Sequence, residues 1–497
     1  MIRALVLLSL VATAPPPLRL ESFVLDAPAR VTQRHTTDFD GDGLADVLLL
    51  SGRAARVWFQ RGGSGPAFVA APDLAFDLAP DAILFDTGDV AGDAATREIV
   101  CLRPGGAEAI SLAGRRLAAA PVPLVAGLAA ALRPDPAGVH WRPLCRDFDG
   151  APGDELFLPG ALGIDLYRRD AASLSGVFVA SGTARVGVEG ALEPGSESLL
   201  SRFRASYGYP ALHLADGDGD GATDVAAATL ETVELHRGSR SAPFFGAAPE
   251  RSFRTGLETR RDRPSPATPL LFEDVDGDRK ADLVVVDGPE GTVRIHSAAP
   301  GGEGSEETPP PRQVLKIEGW ILEAALRDLN GDGRADLVLL STPEVGVVEG
   351  ARIVMEKSLR VRVAAFAAAV GAAAPFERTP FATFERAVPV AFATGGAARF
   401  EMISAPRPSV AGDFDGDSVP DLLSPVDAAT LGIWLGSPGL EFGHAPAATI
   451  ALPPGESARA NEAWLRDLNG DGKTDIVLYQ PDFERRGDRV TIAFARR

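Results

Sequence analysis

Short apolar runs recur along the chain, each entered through a knot of acidic residues. Val47–Leu50, Leu283–Val286, Leu337–Leu340 and Ile476–Tyr479 are continuous aliphatic or β-branched stretches, a length and composition that suit buried strands. About ten residues further on, apolar and polar positions alternate, as in Val57-Trp-Phe-Gln-Arg-Gly62, Ile164-Asp-Leu-Tyr167, Val233-Glu-Leu-His-Arg-Gly238, Val293-Arg-Ile295, Ile433-Trp-Leu-Gly436 and Val490-Thr-Ile492. Another apolar stretch precedes each acidic knot, such as Pro269–Phe272 or Ala463–Leu465, and a phenylalanine often ends the unit, at Phe68, Phe178, Phe244 and Phe442. Each unit therefore predicts three or four short strands joined by tight turns, which is the plan of a β-propeller blade.

The acidic knots are an internal repeat. Six are intact: Asp38-Phe-Asp-Gly-Asp-Gly-Leu-Ala-Asp46, Asp216-Gly-Asp-Gly-Asp-Gly-Ala-Thr-Asp224, Asp274-Val-Asp-Gly-Asp-Arg-Lys-Ala-Asp282, Asp328-Leu-Asn-Gly-Asp-Gly-Arg-Ala-Asp336, Asp413-Phe-Asp-Gly-Asp-Ser-Val-Pro-Asp421 and Asp467-Leu-Asn-Gly-Asp-Gly-Lys-Thr-Asp475. Two are degenerate. Asp147-Phe-Asp-Gly-Ala-Pro-Gly-Asp-Glu155 lacks the third acid, and Asp89-Val-Ala-Gly-Asp93 lacks the second and reaches Glu98 with one residue inserted. A period of about sixty residues, with variable loops, marks one supersecondary unit per repeat. The fold class expected is all-β: a β-propeller of eight blades, each of about four antiparallel strands, with seven blades as the alternative if a degenerate copy is not a full blade. The last repeat stops short of an outer strand, and the stretch Leu18–Leu25 is placed to supply it, closing the ring and removing an exposed edge. Residues 18–497 then form a single domain, with longer insertions near 181–209 and 359–408. The second of these holds Phe376-Glu-Arg378 and Phe384-Glu-Arg386, and structural padding is the expectation for both.

The loop chemistry points to a cation. Oxygen side chains stand at positions one, three, five and nine: Asp38, Asp40, Asp42 and Asp46; Asp216, Asp218, Asp220 and Asp224; Asp274, Asp276, Asp278 and Asp282; Asp328, Asn330, Asp332 and Asp336; Asp413, Asp415, Asp417 and Asp421; Asp467, Asn469, Asp471 and Asp475. Position seven can add its carbonyl, from Leu44, Ala222, Lys280, Arg334, Val419 or Lys473. Odd positions of a tight loop converge, and carboxylates so crowded repel unless a cation lies among them. All-oxygen ligation in a flexible loop is the preference of calcium. About six Ca2+ sites are expected, up to eight if Asp147, Asp149 and Glu155, and Asp89 and Asp93, also bind. An EF-hand is excluded, because position twelve is Leu49, Ala227, Val285, Leu339, Ser424 or Leu478, none of which is a ligand.

The remaining signals narrow the setting. A formal net charge of −19 argues against nucleic acid and against anionic membrane surfaces. The start of the chain, with Arg3, the apolar run Ala4–Ala12 and Ala14, reads as a signal peptide over residues 1–14, so export to the periplasm, cell surface or medium is expected. That run is too short to span a bilayer, and no later stretch reaches the length of a membrane span. Cys101 and Cys145 could form one disulfide, or be two buried small side chains, and the latter is the expectation.

The loop-plus-strand unit resembles the FG-GAP or VCBS repeats of integrin α-subunit propellers and of many bacterial exported proteins, and the resemblance spans nearly the whole chain. Fragments of the family's Phe-Gly signature stand near Phe244 and Phe442. The resemblance implies calcium in the inner hairpin loops, on the aspartates named above. Three functions are then open: a monomeric binding, adhesion or scaffolding module for a protein or glycan; an enzyme such as a polysaccharide lyase; or a lectin. No catalytic motif is present, and the histidines His35, His140, His213, His236, His296 and His444 show no mutual spacing, so no enzyme is expected. Trp58, Trp434 and Trp464 read as core rings, and Arg486-Gly487-Asp488, though an integrin-ligand tripeptide, reads as a plain turn.

Overall fold

The computed structural model describes residues 17–27, 29–63, 65–92, 96–128, 132–160, 163–169, 178–184, 189–194, 203–208, 210–241, 244–257, 269–297, 310–369, 374–395, 399–452, 462–480 and 487–496. The expected signal segment 1–14 and Asp93 lie outside them. Eight antiparallel blades stand in a ring. Blade one is Gln33–Thr37, Asp46–Ser51, Ala54–Trp58 and Leu74–Asp77, and blade two is Leu84–Gly88, Glu98–Arg103, Gly106–Ile110 and Val122–Ala126, with the short strand His140–Trp141 added in parallel beside Leu84–Gly88. Blade three is Cys145–Arg146, Glu155–Pro159, Ile164–Arg169 and Phe178–Ala184; blade four is Ala211–Ala215, Asp224–Ala228, Thr232–His236 and Arg251–Arg254. Blade five is Leu270–Glu273, Asp282–Asp287, Thr292–Ser297 and Gln313–Lys316. Blade six has five strands, Trp320–Arg327, Asp336–Thr342, Ser358–Phe366, Ala382–Gly395 and Arg399–Ser404, with the helix Val347–Glu356 between its second and third. Blade seven is Ser409–Gly412, Asp421–Asp427, Thr430–Trp434 and Ala448–Ala451.

Blade eight is composite. Glu462–Arg466, Asp475–Gln480 and Arg489–Arg496 come from the end of the chain, and Arg19–Asp26 from its beginning pairs antiparallel with the last of them. The spare N-terminal strand thus closes the ring, as its sequence position implied. All eight repeats, including the degenerate pair, form full blades.

The apolar runs are continuous because each blade is covered on both faces. Leu48 and Leu50 pack toward blade two, while Val47 and Leu49 pack toward blade eight. Leu283 and Val285 likewise face blade four, and Val284 and Val286 face blade six. Successive strand residues point to opposite faces, so a strand sandwiched between two blades needs apolar residues at every position. Among the described residues eight apolar clusters result, each between two consecutive blades, and the one joining Leu25, Val490 and Phe494 to Val47 and Trp58 completes the circle.

Of the two long inter-repeat segments, one carries a hairpin apart from the blades and the other supplies blade strands. Residues 181–209 hold the end of blade three's outer strand and a separate hairpin, Glu189–Pro194 with Phe203–Gly208. Residues 359–408 supply the outer strands of blade six, and Phe376 is buried there in a two-way clasp with Gln313 of blade five: Phe376 N donates to Gln313 Oε1 at 2.9 Å, and Gln313 Nε2 donates to Phe376 O at 2.7 Å. Cys101 and Cys145 are buried free thiols. One aromatic reading is corrected: Trp58 and Trp434 are core rings, but Trp464 is 38% exposed and its ring is met by Arg34 of blade one at 4.6 Å, not by an apolar core.

Candidate metal centres

Each acidic knot is the turn between the first and second strands of its blade, in one register throughout. The residue before the loop pairs with the closing acid in all eight blades, as Thr37 with Asp46, Gly88 with Glu98, Arg146 with Glu155 and Arg466 with Asp475. Blade two, with its inserted residue, keeps the same pairing.

Backbone donors organise the carboxylates. Asp38 accepts Gly41 N and Gly43 N, both at 2.7 Å, and Asp216, Asp274, Asp328, Asp413 and Asp467 repeat this on their own fourth and sixth residues. The third residue accepts from the fifth N–H, and the fifth accepts from the seventh, at Leu44, Ala222, Lys280, Arg334, Val419 and Lys473. This winding needs a left-handed backbone at the fourth residue, where glycine is found in every blade. In the six intact loops the sixth residue is also left-handed, and Arg279 and Ser418 adopt it at φ 68° and 66° despite their side chains.

The closing acids have a second task. Asp46 accepts Phe39 N and Gln60 N, both at 2.9 Å, and so ties the loop to the third strand. Asp224, Asp336, Asp421 and Asp475 do the same. Burial pushes Asp46 up to about 7, with the nearby Asp40 and Asp38 carboxylates adding to the shift. Burial also lifts Asp282 and Glu155 to about 7, and Asp421 and Asp475 to about 6.

Five groups of three acids bring ligand oxygens within 4.8 Å of one another: Asp38, Asp40 and Asp42; Asp147, Asp149 and Glu155; Asp216, Asp218 and Asp224; Asp274, Asp276 and Asp282; Asp413, Asp415 and Asp421. The degenerate loop of blade three is therefore among them. In blades six and eight position three is Asn330 or Asn469, and among the described residues the acids of those two loops do not form such a group. Position five joins the cluster only at Asp42; Asp220, Asp278 and Asp417 stand outside the groups of blades four, five and seven. Blade two differs. There Asp154 from the next loop accepts Asp89 N at 2.9 Å and Arg97 Nη1 at 2.8 Å, while Glu98 accepts Val90 N and Ala91 N at 3.2 Å. Asp154 thus braces the start of that loop from the next blade, and Asp89 is in none of the acidic groups among the described residues.

The donor set fits a hard divalent ion. All ligand atoms are oxygens, and Asp282, 2% exposed, keeps an Oδ2 with no hydrogen-bond partner inside its cluster. The loops also touch: Ala281 N donates to Asp216 O at 2.7 Å and Thr474 N to Asp413 O at 2.7 Å, so consecutive sites are linked blade to blade.

Sequence reasoning missed the arginines set against these acids. Arg115 reaches Asp40 and Asp42 at 2.5 and 2.9 Å, Arg237 reaches Asp218 at 2.6 Å, and Arg312 reaches Asp276 at 2.6 Å and Asp282 at 3.3 Å. Arg168 pairs with Asp149. The Arg-Gly step after the third strand was a partial signal: Arg237 meets its loop, but Arg61 turns to Asp73 at 2.5 Å. The tripeptide reading is sharpened: Asp488 is 2% exposed and accepts Val31 N and Tyr479 Oη, both at 2.6 Å, so it is an internal brace.

Residues 274–339, which run from the loop of blade five through the loop and second strand of blade six, match the family model of the FG-GAP-like repeat. No curated protein matches the chain. Among solved structures it is similar to an Agrocybe aegerita lectin that recognises non-reducing terminal N-acetylglucosamine, at 18% identity and a TM-score of 0.39 over 64% of this chain and 78% of that one. It is also similar to the V. cholerae biofilm matrix protein Bap1, at 10% identity and a TM-score of 0.34 over 96% and 90%. Among the described residues no helix is long and apolar enough to cross a membrane.

Proposed function

From an eight-bladed FG-GAP repeat propeller, we propose an exported calcium-binding module that binds or scaffolds a protein or glycan partner and carries out no chemistry of its own. One observation carries the reading: the same hairpin geometry gathers three carboxylates in five blades. Burial leaves several closing acids reluctant to ionise, and a divalent cation would remove that cost. The ion would be held by the first, third, fifth and closing residues of the loops, and would supply charge neutralisation and rigidity to one face of the ring. Export rests on the N-terminal apolar segment and on the family resemblance.

The reading is tested in two steps. Calcium should raise the melting temperature of chelator-treated protein, and indifference to calcium would remove the metal. A glycan array and a protein pull-down in calcium should then give binding without turnover, whereas formation of unsaturated sugar in a lyase assay would make the protein an enzyme.

A further inference from the structure

In blades one, three, four and five the third residue of the loop has one oxygen committed to the backbone and one that is not. Oδ1 of Asp40 accepts Asp42 N at 3.2 Å, and Oδ1 of Asp149, Asp218 and Asp276 accepts Ala151 N, Asp220 N and Asp278 N at 2.9, 3.0 and 3.1 Å. The other oxygen, Oδ2, is left to ligate an ion. In all four blades a guanidinium already holds it: Arg115 on Asp40 at 2.5 Å, Arg237 on Asp218 at 2.6 Å, Arg312 on Asp276 at 2.6 Å, and Arg168 on Asp149.

Each guanidinium also reaches a second acid of the same loop. Arg115 meets Asp42 at 2.9 Å, Arg168 meets Glu155 at 3.7 Å, Arg237 meets Asp220 at 3.3 Å, and Arg312 meets Asp282 at 3.3 Å. The four heads therefore bridge acids that would serve one ion. They arrive from unlike places: Arg168 from the third strand of its own blade, Arg237 and Arg312 from between the third and fourth strands, and Arg115 from blade two.

Blades six and eight supply the contrast. Their third residue is Asn330 or Asn469, whose Oδ1 accepts Asp332 N or Asp471 N at 2.9 Å in the same way. The second atom is then an amide nitrogen. Asn330 Nδ2 donates to Asp336 Oδ1 at 3.4 Å, and Asn469 Nδ2 has no partner among the described residues. An asparagine carries the same net charge as an aspartate paired with an arginine, so the guanidiniums accompany the extra carboxylate.

We propose that Arg115, Arg168, Arg237 and Arg312 are built-in occupants of these loops, holding the oxygens an ion would need, and that calcium binds blades one, three, four and five by displacing them. The guanidinium neutralises and orders the loop of the ion-free chain. It also competes, because two cations on one carboxylate oxygen repel, and this sets the affinity below what the acids alone would give. The heads have room to leave. Arg115 and Arg237 are 41% and 51% exposed, and Arg168 adjoins a cavity of about 350 Å³, with the Phe244 ring 4.1 Å from its guanidinium. The inference rests on the calcium reading and adds what the ion displaces.

Arginine labelling by a dicarbonyl reagent, mapped by mass spectrometry on the full chain with and without calcium, reads the displacement. Calcium should speed modification of the four arginines severalfold and leave Arg61, which pairs with Asp73 at 2.5 Å, unchanged. Calorimetric titration with calcium then compares the parent with Arg312→Gln and Arg61→Gln. In Arg312→Gln one site should tighten about tenfold while the melting temperature in chelator falls. Arg61→Gln, with the same change in net charge, should leave the affinity as it is. Protection or unchanged labelling of the four arginines, or parental affinity in folded Arg312→Gln, would overturn the inference, and a melting temperature still raised by calcium would leave the calcium reading standing. A chain that takes up no calcium would remove both.

Discussion

Leu25 lies opposite Val490 in an antiparallel pair, so a strand from the start of the chain completes the blade that ends it. Both are buried, in one cluster with Phe494 and with Val47 of blade one. The closure therefore joins sheet hydrogen bonds to an inter-blade core. Leu25→Ala should cost about 2–5 kcal/mol by leaving a cavity. Removal of residues 17–27 should be far worse, exposing the edge of Arg489–Arg496 and promoting aggregation. Chemical denaturation and light scattering read the two effects. Parental stability in Leu25→Ala would show that the ring does not depend on this strand.

Chelation addresses the loops. An ion bound only by the folded chain stabilises it by about 2.7 kcal/mol per site at a hundredfold excess over its dissociation constant. The melting temperature should therefore climb with calcium concentration well beyond a simple salt effect. In Asp282→Asn, which removes the carboxylate with the unpartnered oxygen, that climb should be smaller, while Asp89→Asn should leave it unchanged. Calorimetric scans across a calcium series check both.

His35 predicts a pH dependence. Its folded value, about 4, lies below its ordinary 6.5, so the fold prefers the neutral ring. The stabilisation is complete above about 6.5 and is lost as pH falls from there toward 4, amounting to about 3 kcal/mol. Denaturation midpoints should show that decline in the parent, measured in calcium to hold the loops constant, and a flatter profile in His35→Gln.

Asp488 is a brace and not a ligand for another protein. Asp488→Ala should destabilise the fold by about 2–3 kcal/mol, since Val31 N and Tyr479 Oη would lose a charged acceptor. Cells bearing integrins should adhere no better to the parent than to this variant. Adhesion specific to the parent under conditions where both are folded would contradict the burial of the carboxylate.

The two cysteines should be silent. Burial pushes the Cys101 thiol up to about 12 and raises Cys145 as well, and the thiolate is the reactive form. A thiol reagent should label neither in the native protein and both in denaturant.

Repeat number, strand order and the metal-suited loops were legible in the sequence because they are local. Asp38 to Asp46 specifies its own hairpin through side-chain contacts with residues two to seven positions away, and Val47–Leu50 reads as buried whatever it packs on. The closing role of Arg19–Asp26 could be inferred because one blade lacked a strand. Other features required the ring itself. That Asp154 would accept from Asp89 N, that Arg115 of blade two would meet Asp40 of blade one, and that Trp464 would be open depend on which blades adjoin and which strand is innermost. A local pattern sets what each blade presents, but distances between blades are fixed only when eight of them close around a common axis.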